Sequence, residues 1–399
     1  MKTGNRARLR VERRPRWYGA IAVCLLFLTA CSGSATPAGT IALVGGAIFD
    51  GTGGEVIPDG VVLVRDGRIA AVGRRSAVEI PPDAEVRDVS GMTVLPGLIN
   101  THVHDAYDTA TLVAWAQGGV TTVRDLTPRT GDLAAVSALY AFRDAALSDP
   151  RCARLVGASP MLCNPDGYGF LALSSPEEAA GTVGRFLDAG ADLIKIGIES
   201  RQGTRTWPLI SQDLVDAIVS AAHARGAYVS AHVSQPAHVE MALDAGVDEL
   251  AHMAYGFVSD ELVARIVAAG IIWVPTLELW HGVGYGRHGV DTNLLRFVRA
   301  GGTVALGTDY GGYAIPFDLG TPITEIRLMS GASLTPMEIL LSATRNAARA
   351  CGLADSVGTL ETGKVADVLV VEGDPLTDLE ALTRVRLVLR AGVVIRDGT

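Results

Sequence analysis

The residues best suited to do chemistry stand in "LPGLINTHVHDA", Leu95 to Ala106. His102 and His104 are two residues apart. In an extended strand, residues at i and i+2 project to the same face. If Thr93 to His104 is extended, the two imidazoles lie side by side, and a neutral ring nitrogen is a good zinc ligand. A His-x-His pair also arises as two polar residues at a strand end, so the rest of the chain has to decide. Comparable residues recur further on: Lys195 in "ADLIKIGIE", His232 in "VSAHV", His252 in "ELAHM" and Asp309 in "ALGTD". Taken singly, His232 and His252 read as core histidines, and Asp309 as a helix N-cap. Lys195 reads as a buried lysine held in an ion pair or snorkelling to water. It has a sharper reading as well. Reaction of its amine with carbon dioxide would make a carbamate, an anion able to bridge two metal ions. One shared metal site accounts for all six residues, which include four of the chain's eight histidines.

Such a site needs elements that bring distant residues together. From Ala116 onward, a helical pattern ending in small residues and glycine is followed six times by a short β-branched run: "AQGGVTTVRDL", "DAGADLIKIGIE", "ARGAYVSAHV", "DAGVDELAHM", "AAGIIWVPTL" and "RAGGTVALGTD". Glycine stops a helix and a strand begins. "MTVLPGLINTHVH" and "ARLVGASPML" bring the strands to eight. "SPEE" from Ser175 and "TPME" from Thr335 combine an N-cap, a proline at the first helical position and a glutamate at the third. Eight β–α units over about 260 residues predict an α/β fold, a (β/α)8 TIM-type barrel whose chemistry lies at the C-terminal ends of its strands. The rival is a doubly wound open sheet, whose dinucleotide-binding form is unsupported because no Gly-x-Gly-x-x-Gly follows the first strand. Both chain ends have another texture, with alternating apolar runs broken by turns such as "DGR" at Asp66–Arg68. The expected organisation is a small β-sandwich built from residues 40–94 and 359–399, with the barrel, residues 95–358, inserted between them.

The chain has 399 residues, 48% hydrophobic and 19% charged, which is a globular composition. With no basic tract beyond the N-terminus, nucleic acid is an unsupported partner. Residues 1–30 form a class of their own. Basic residues from Lys2 to Arg16 precede the apolar run "GAIAVCLLFLTA", Gly19–Ala30, and then Cys31. This arrangement resembles a bacterial lipoprotein signal, which implies cleavage before Cys31, lipidation of that cysteine and a tether over residues 31–39. The expected location is the periplasmic or extracellular face of a bacterial membrane. Without residues 1–31 the chain has 27 basic and 42 acidic residues, a net charge of −15. Cys152, Cys163 and Cys351 remain; buried thiols are expected, with a Cys152–Cys163 disulfide as the alternative.

Over nearly the whole mature length the chain resembles the amidohydrolase superfamily. "LPGLINTHVH" is similar to its first-strand signature and "GTD" to its eighth-strand aspartate motif. "SATRNAARACGL" followed by "GTLETGKVADVLVVEGDPL" resembles its exit from the barrel. The order His-x-His, Lys, His, His, Asp is that of the binuclear subgroup, most like the imidazolonepropionase-like and prolidase-like branch. The resemblance implies that His102, His104 and Asp309 hold one divalent metal, zinc by expectation. It implies His232 and His252 for the second, with carboxylated Lys195 as bridge and Asp309 as the proton-handling catalytic residue. Asn100 stands where many relatives have aspartate, and the segment Glu278–Asn293 is short beside dipeptidase-like relatives. The implied activity is metal-dependent hydrolysis of an amide-type C–N bond in a dipeptide or N-acyl amino acid. Cyclic amides, lactones or phosphoesters on the same site are alternatives, and so is a non-catalytic ligand-binding surface lipoprotein. A mononuclear deaminase would leave Lys195 without a role. Tyr168, Arg201, Arg205, Tyr255, His281 and Tyr310 follow strand ends and are candidates for contacting a small-molecule substrate. Homo-oligomerisation is left open.

Overall fold

A computed structural model describes residues 39–286 and 289–399, so the expected signal, Cys31 and most of the tether lie outside the described residues. The two chain ends are woven together. In a four-stranded sheet, Ile41–Val44 pairs antiparallel with Gly60–Arg65 and parallel with Glu85–Asp88, and Arg68–Arg74 forms the edge. A five-stranded sheet runs Ala47–Ile48, Met92–Pro96, Val368–Glu372, Val385–Arg390 and Val393–Asp397. Alternating apolar residues of both sheets, among them Leu43, Val62, Val94, Val370 and Leu387, share one core. The turn between Gly60–Arg65 and Arg68–Arg74 is Asp66–Gly67, both at positive φ (51° and 75°), the two-residue form that matches strand twist.

Between these ends lie eight parallel strands. The first three, Leu98–Val103, Val120–Asp125 and Arg154–Gly157, form one sheet. Leu193–Gly197, Tyr228–His232, Glu249–Ala251, Ile272–Val274 and Thr303–Val304 follow in a second, which Leu162–Cys163 and Leu171–Ala172 extend at its edge. Hydrogen bonds cross both seams. At the third-to-fourth seam Ala158 bridges Leu193, and Ser159 N–H donates to Leu193 O at 2.9 Å. At the eighth-to-first seam Thr101 N–H donates to Leu306 O (2.9 Å) and His104 N–H to Tyr310 O (2.7 Å). Strand order therefore follows chain order, with no switch point of the doubly wound kind.

The expected single extended run from Thr93 to His104 is two strands. Met92–Pro96 belongs to the five-stranded sheet and Leu98–Val103 to the parallel set. Gly97 is the joint. A Cβ there would stand 2.2 Å from Thr121 Oγ1, so only glycine lets the chain cross the second strand. Helices stop where expected, with Gly190, Gly246 and Gly270 as left-handed C-caps. Thr335 and Glu338 make the predicted capping box. Ser175 does not cap: a single 3-10 turn, Pro176–Glu178, intervenes, and Glu178 instead accepts from Ser174 N–H. Cys152, Cys163 and Cys351 are buried free thiols, so the alternative disulfide is absent.

Beneath the strand ends lies a charged interior. Arg124, on the second strand, and Glu249, on the sixth, are both fully buried. Arg124 Nη2 donates to both Glu249 oxygens at 2.6 and 2.7 Å, Nε to Thr101 O and Nη1 to Ala350 O. Glu249 also accepts from Ser230 Oγ, which in turn lies 3.4 Å from Lys195 Nζ. Removing one member of such a pair strands the other as a buried charge. Replacing Arg124 by methionine should therefore destabilise the fold by about 3–5 kcal/mol in denaturant unfolding. A loss below about 1 kcal/mol would show that the pair is dispensable.

Candidate functional site

All six residues singled out from the sequence line one cavity of about 220 Å³ at the C-terminal ends of the strands. His102 lies near the end of the first strand and His104 just past it. Lys195 is the central residue of the fourth strand, His232 ends the fifth, and His252 follows the sixth. Asp309 stands five residues past the last residue of the eighth strand. Asp309 Oδ1 lies 2.9 Å from Nε2 of both His102 and His104. Ligand atoms of these three residues lie within 4.8 Å of one another. The other two imidazoles continue the arc, with ring centroids 4.6 Å apart from His102 to His252 and again from His252 to His232. His232 and His252 adjoin the triad without belonging to that compact group.

The donor chemistry suits a divalent ion. Burial pushes the His102 imidazolium down to about 3, against the pull of Asp309, so the ring is neutral. Burial also lowers His232, and more strongly His252. Neutral imidazole is the ligating form. Burial would raise Asp309, yet His102 and His104 beside it hold its carboxyl well below the ordinary range. Burial lowers the Lys195 ammonium to about 7, partly countered by Glu249. Its amine is therefore available as the uncharged nucleophile near neutral pH.

A second ring of groups aims these ligands. Asn100 Oδ1 accepts from His102 N–H and from Thr308 N–H (3.2 Å each), and its Nδ2 donates to Thr308 Oγ1 at 2.9 Å. Asn100 thus ties the first strand to the segment after the eighth, just behind the His102–His104–Asp309 group. Glu199, fully buried, lies with Oε2 3.3 Å from His232 Nε2, while Oε1 accepts from Ser200 and Arg201 N–H. Burial opposes its charge, but these bonds hold it at about 2. His252 Nδ1 lies 2.8 Å from Thr276 Oγ1. Four residues here, Asp105, His252, Thr276 and Asp309, have φ between 48° and 74°, strained for side-chain-bearing residues and sustained by these contacts. Gly312 is also constrained, since its Cβ would fall 2.1 Å from Asp309 Oδ2.

Of the six residues proposed to meet substrate, Tyr168 and Tyr255 line the cavity. The other four do not. Tyr310 packs its ring on Trp115 and Phe317, and His281 Nε2 sits 3.0 Å from Asp291 Oδ1. Arg201 and Arg205 lie on an exposed hairpin, and Arg201 Nε donates to Gly203 O. The sequence reading missed Arg129, Gln202, Trp280, Tyr285 and Tyr313 in the lining. It also missed Glu199, whose position four residues after Lys195 in an apolar run was the available signal. The segment after the seventh strand forms helices Leu277–Gly282 and Val290–Arg299. The first brings Leu279 and Trp280 to the cavity.

That short helix is capped from outside. Thr276 precedes it, but its hydroxyl is engaged with His252. Glu325, from the helix Ile323–Gly331, accepts instead from Leu277 N–H (2.9 Å) and Glu278 N–H (2.6 Å). Glu278 is itself buried; Oε1 accepts from Asp318 N–H, and Oε2 has no partner among the described residues.

A family model described as "Amidohydrolase family" matches residues 93–395. The chain is 28% identical over 373 residues to an imidazolonepropionase from Symbiobacterium thermophilum, covering 79% of this chain and 84% of that one. It is 29% identical over 246 residues to an ochratoxinase from Aspergillus niger, covering 56% of this chain and 48% of the other. The crystal structure of a Xaa-Pro dipeptidase with methionine in its active site superposes with a TM-score of 0.77 at 22% identity, over 89% of this chain and 99% of that one, a likeness of fold alone.

The buried acid pair makes a prediction. Burial raises Glu278 from its ordinary 4.5 to about 7 and Glu325 to about 8, each helped by the other or by Asp318 and opposed by backbone donors. The folded chain then binds more protons than the unfolded one from about pH 4.5 to 8, so stability falls as pH rises through that window. Glu278→Gln keeps the bond from Asp318 and removes one charge. It should raise stability at pH 9 by on the order of 3 kcal/mol and leave pH 5 nearly unchanged. Equal thermal midpoint shifts at both pH values would refute the assignment.

Proposed function

Because the chain belongs to the amidohydrolase family and is thereby a hydrolase of carbon–nitrogen bonds, we propose that it cleaves a dipeptide or N-acyl amino acid at a binuclear metal site. The observation that carries this reading is the convergence of His102, His104 and Asp309 on one point, with His232, His252 and Lys195 lining the same cavity. In the proposed site the first three hold one divalent ion, zinc by chemical fit, and His232 and His252 hold a second. Uncharged Lys195 could add to carbon dioxide with loss of a proton, and its carbamate would then be a further anionic group available to hold the ions. The eight strands serve as a (β/α)8 barrel set into a sandwich made from both chain ends, with the expected boundary at residues 94/95 moved to Gly97 because Met92–Pro96 pairs within the sandwich sheet; the strand order and bridged seams support this.

Divalent ions in such a site supply Lewis acidity and a water acidified toward neutral pH. The protein's own groups do the rest. Asp309 takes the proton of the attacking water and passes it to the departing nitrogen. Glu199 and Thr276 fix the rotation of His232 and His252, and so decide which nitrogen of each ring faces the cavity. Asn100 holds Thr308, the residue before Asp309, against the backbone of His102. Tyr168, stacked on His232 at 4.5 Å between centroids, shields one side from water. The likeness to imidazolonepropionase makes cyclic amides the second class to assay. From residues 1–31 we also propose a lipid anchor at Cys31 of an exported protein.

The decisive test is elemental analysis of protein prepared with bicarbonate and zinc, alongside amide hydrolysis. Near two ions per chain are expected, with activity reduced at least about 1000-fold in Asp309→Asn and Lys195→Ala while the fold is kept. One ion per chain, or full turnover by Lys195→Ala, removes the bridged centre. Cys31→Ser should release the protein from membranes; continued membrane association would contradict lipidation.

A further inference from the structure

The cavity is chemically lopsided. After the sixth and seventh strands its wall is aromatic. Trp280 lies with ring centroids 5.8 Å from Tyr255 and 5.7 Å from Tyr285, those two rings are 5.1 Å apart, and Leu279 and Val283 complete the surface. After the second strand, four places away along the strand order, stands Arg129, the one arginine among the described lining residues. Its guanidinium is held at the mouth by two bonds. Nε donates to Asp105 Oδ1 at 3.3 Å and Nη2 to Gly311 O. These partners follow the first and eighth strands, so three loops fix the arginine beside His104 and Asp309. Its Nη1 makes no bond among the described residues. Asp105 is largely exposed and its contact is long, so an incoming carboxylate can share or displace it at little cost.

Resting on the amide-hydrolase reading above, we propose that Arg129 is the specificity residue that receives a free carboxylate on the leaving amino acid, while the Trp280–Tyr255–Tyr285 wall receives an aromatic or branched acyl group. The substrate class is then an N-acyl amino acid with an apolar acyl part and an unblocked carboxylate. Three physical points converge on it. An aromatic wall binds flat apolar groups, and although Trp280 Nε1 and the tyrosine hydroxyls can donate, it holds no cation to offset a carboxylate's lost hydration. A guanidinium recognises a carboxylate through directed, charge-assisted bonds. His102, His104 and Asp309 line the same cavity as Arg129 and the wall, so a substrate reaching both presents its amide to that group. Arg201 and Arg205, the arginines suggested by sequence, lie outside the lining.

The test compares N-phenylacetyl-L-alanine with N-phenylacetyl-L-alaninamide, which differ at the carboxylate alone. The metal-loaded protein should prefer the acid by roughly 10- to 100-fold in kcat/KM, chiefly through KM. Arg129→Gln should abolish the preference by weakening the acid and leaving the amide unchanged, and Arg129→Lys should restore part of it. Arg205→Gln should leave the ratio intact. Calorimetric binding of both compounds to metal-loaded Asp309→Asn, with and without Arg129→Gln, gives the same comparison without turnover. If neither compound is cleaved but the acid still binds more tightly through Arg129, the hydrolase reading fails and the carboxylate site stands. Equal handling of acid and amide by the unmodified protein, an equal loss of both in Arg129→Gln, or collapse of the ratio in Arg205→Gln would overturn the proposal.

Discussion

A full ion pair between Arg124 and Glu249 occupies the space inside the parallel strands, where layers of branched apolar side chains are the usual filling. Burying two charges is costly, and the cost is offset here because nearly every donor and acceptor of the pair is satisfied. The bonds do more than neutralise. They join the first, second, fifth and sixth strands and the carbonyl of Ala350. A slip of one residue in any of these strands would break several of them together and turn alternate side chains to the wrong face. The imidazoles at the strand ends therefore inherit their register from a polar contact below them. Lys195 sits between the two layers, where Ser230 links it to the pair and the cavity lies above.

The site itself concentrates strain. Asp105, His252, Thr276 and Asp309 take left-handed backbone conformations at the points where strands give way to loops. His252 and Asp309 line the shared cavity, while Thr276 bonds His252 and Asp105 meets Arg129. The strain is held in place by side-chain bonds such as that between Thr276 and His252, and the backbone donors thereby left over are taken up by Glu325. Binding chemistry at one strand end is in this way connected to helix packing on the far side of the next loop.

The strands and the six residues that converge on the cavity were legible because they obey local rules. Glycine after an amphipathic run ends a helix wherever it occurs, and histidine or aspartate at the end of an apolar strand is rare enough to notice. What escaped depends on pairing across long sequence distances. Arg124 and Glu249 are 125 residues apart, and each alone looks like an ordinary charge at a strand edge. Gly97 looked like part of a continuous strand because the close approach of Thr121 is visible only in three dimensions. The lining was the least legible part. Tyr168 and Tyr255 lie in it, whereas Tyr310 turns to Trp115 and Arg201 to its own hairpin. Nothing in a loop's sequence states which way its side chains face. Arg129, just past the second strand, carried no periodic signal at all.

The external cap on Leu277–Gly282 has a consequence for how this cavity can change over evolutionary time. The helix that carries Trp280 cannot be exchanged as an independent cassette, since its first turn is completed by Glu325 and its Glu278 meets Asp318, both beyond the eighth strand. Insertions or deletions after the seventh strand that shift Leu277 would leave two backbone donors and a buried carboxylate without partners. Diversification of the aromatic wall should therefore proceed by replacing side chains on a fixed backbone, or by joint replacement of the loops after the seventh and eighth strands. The loop bearing Arg129 is constrained differently, through Asp105 after the first strand and the Gly311 carbonyl after the eighth, so a replaced eighth-strand loop would have to keep that carbonyl in place as well.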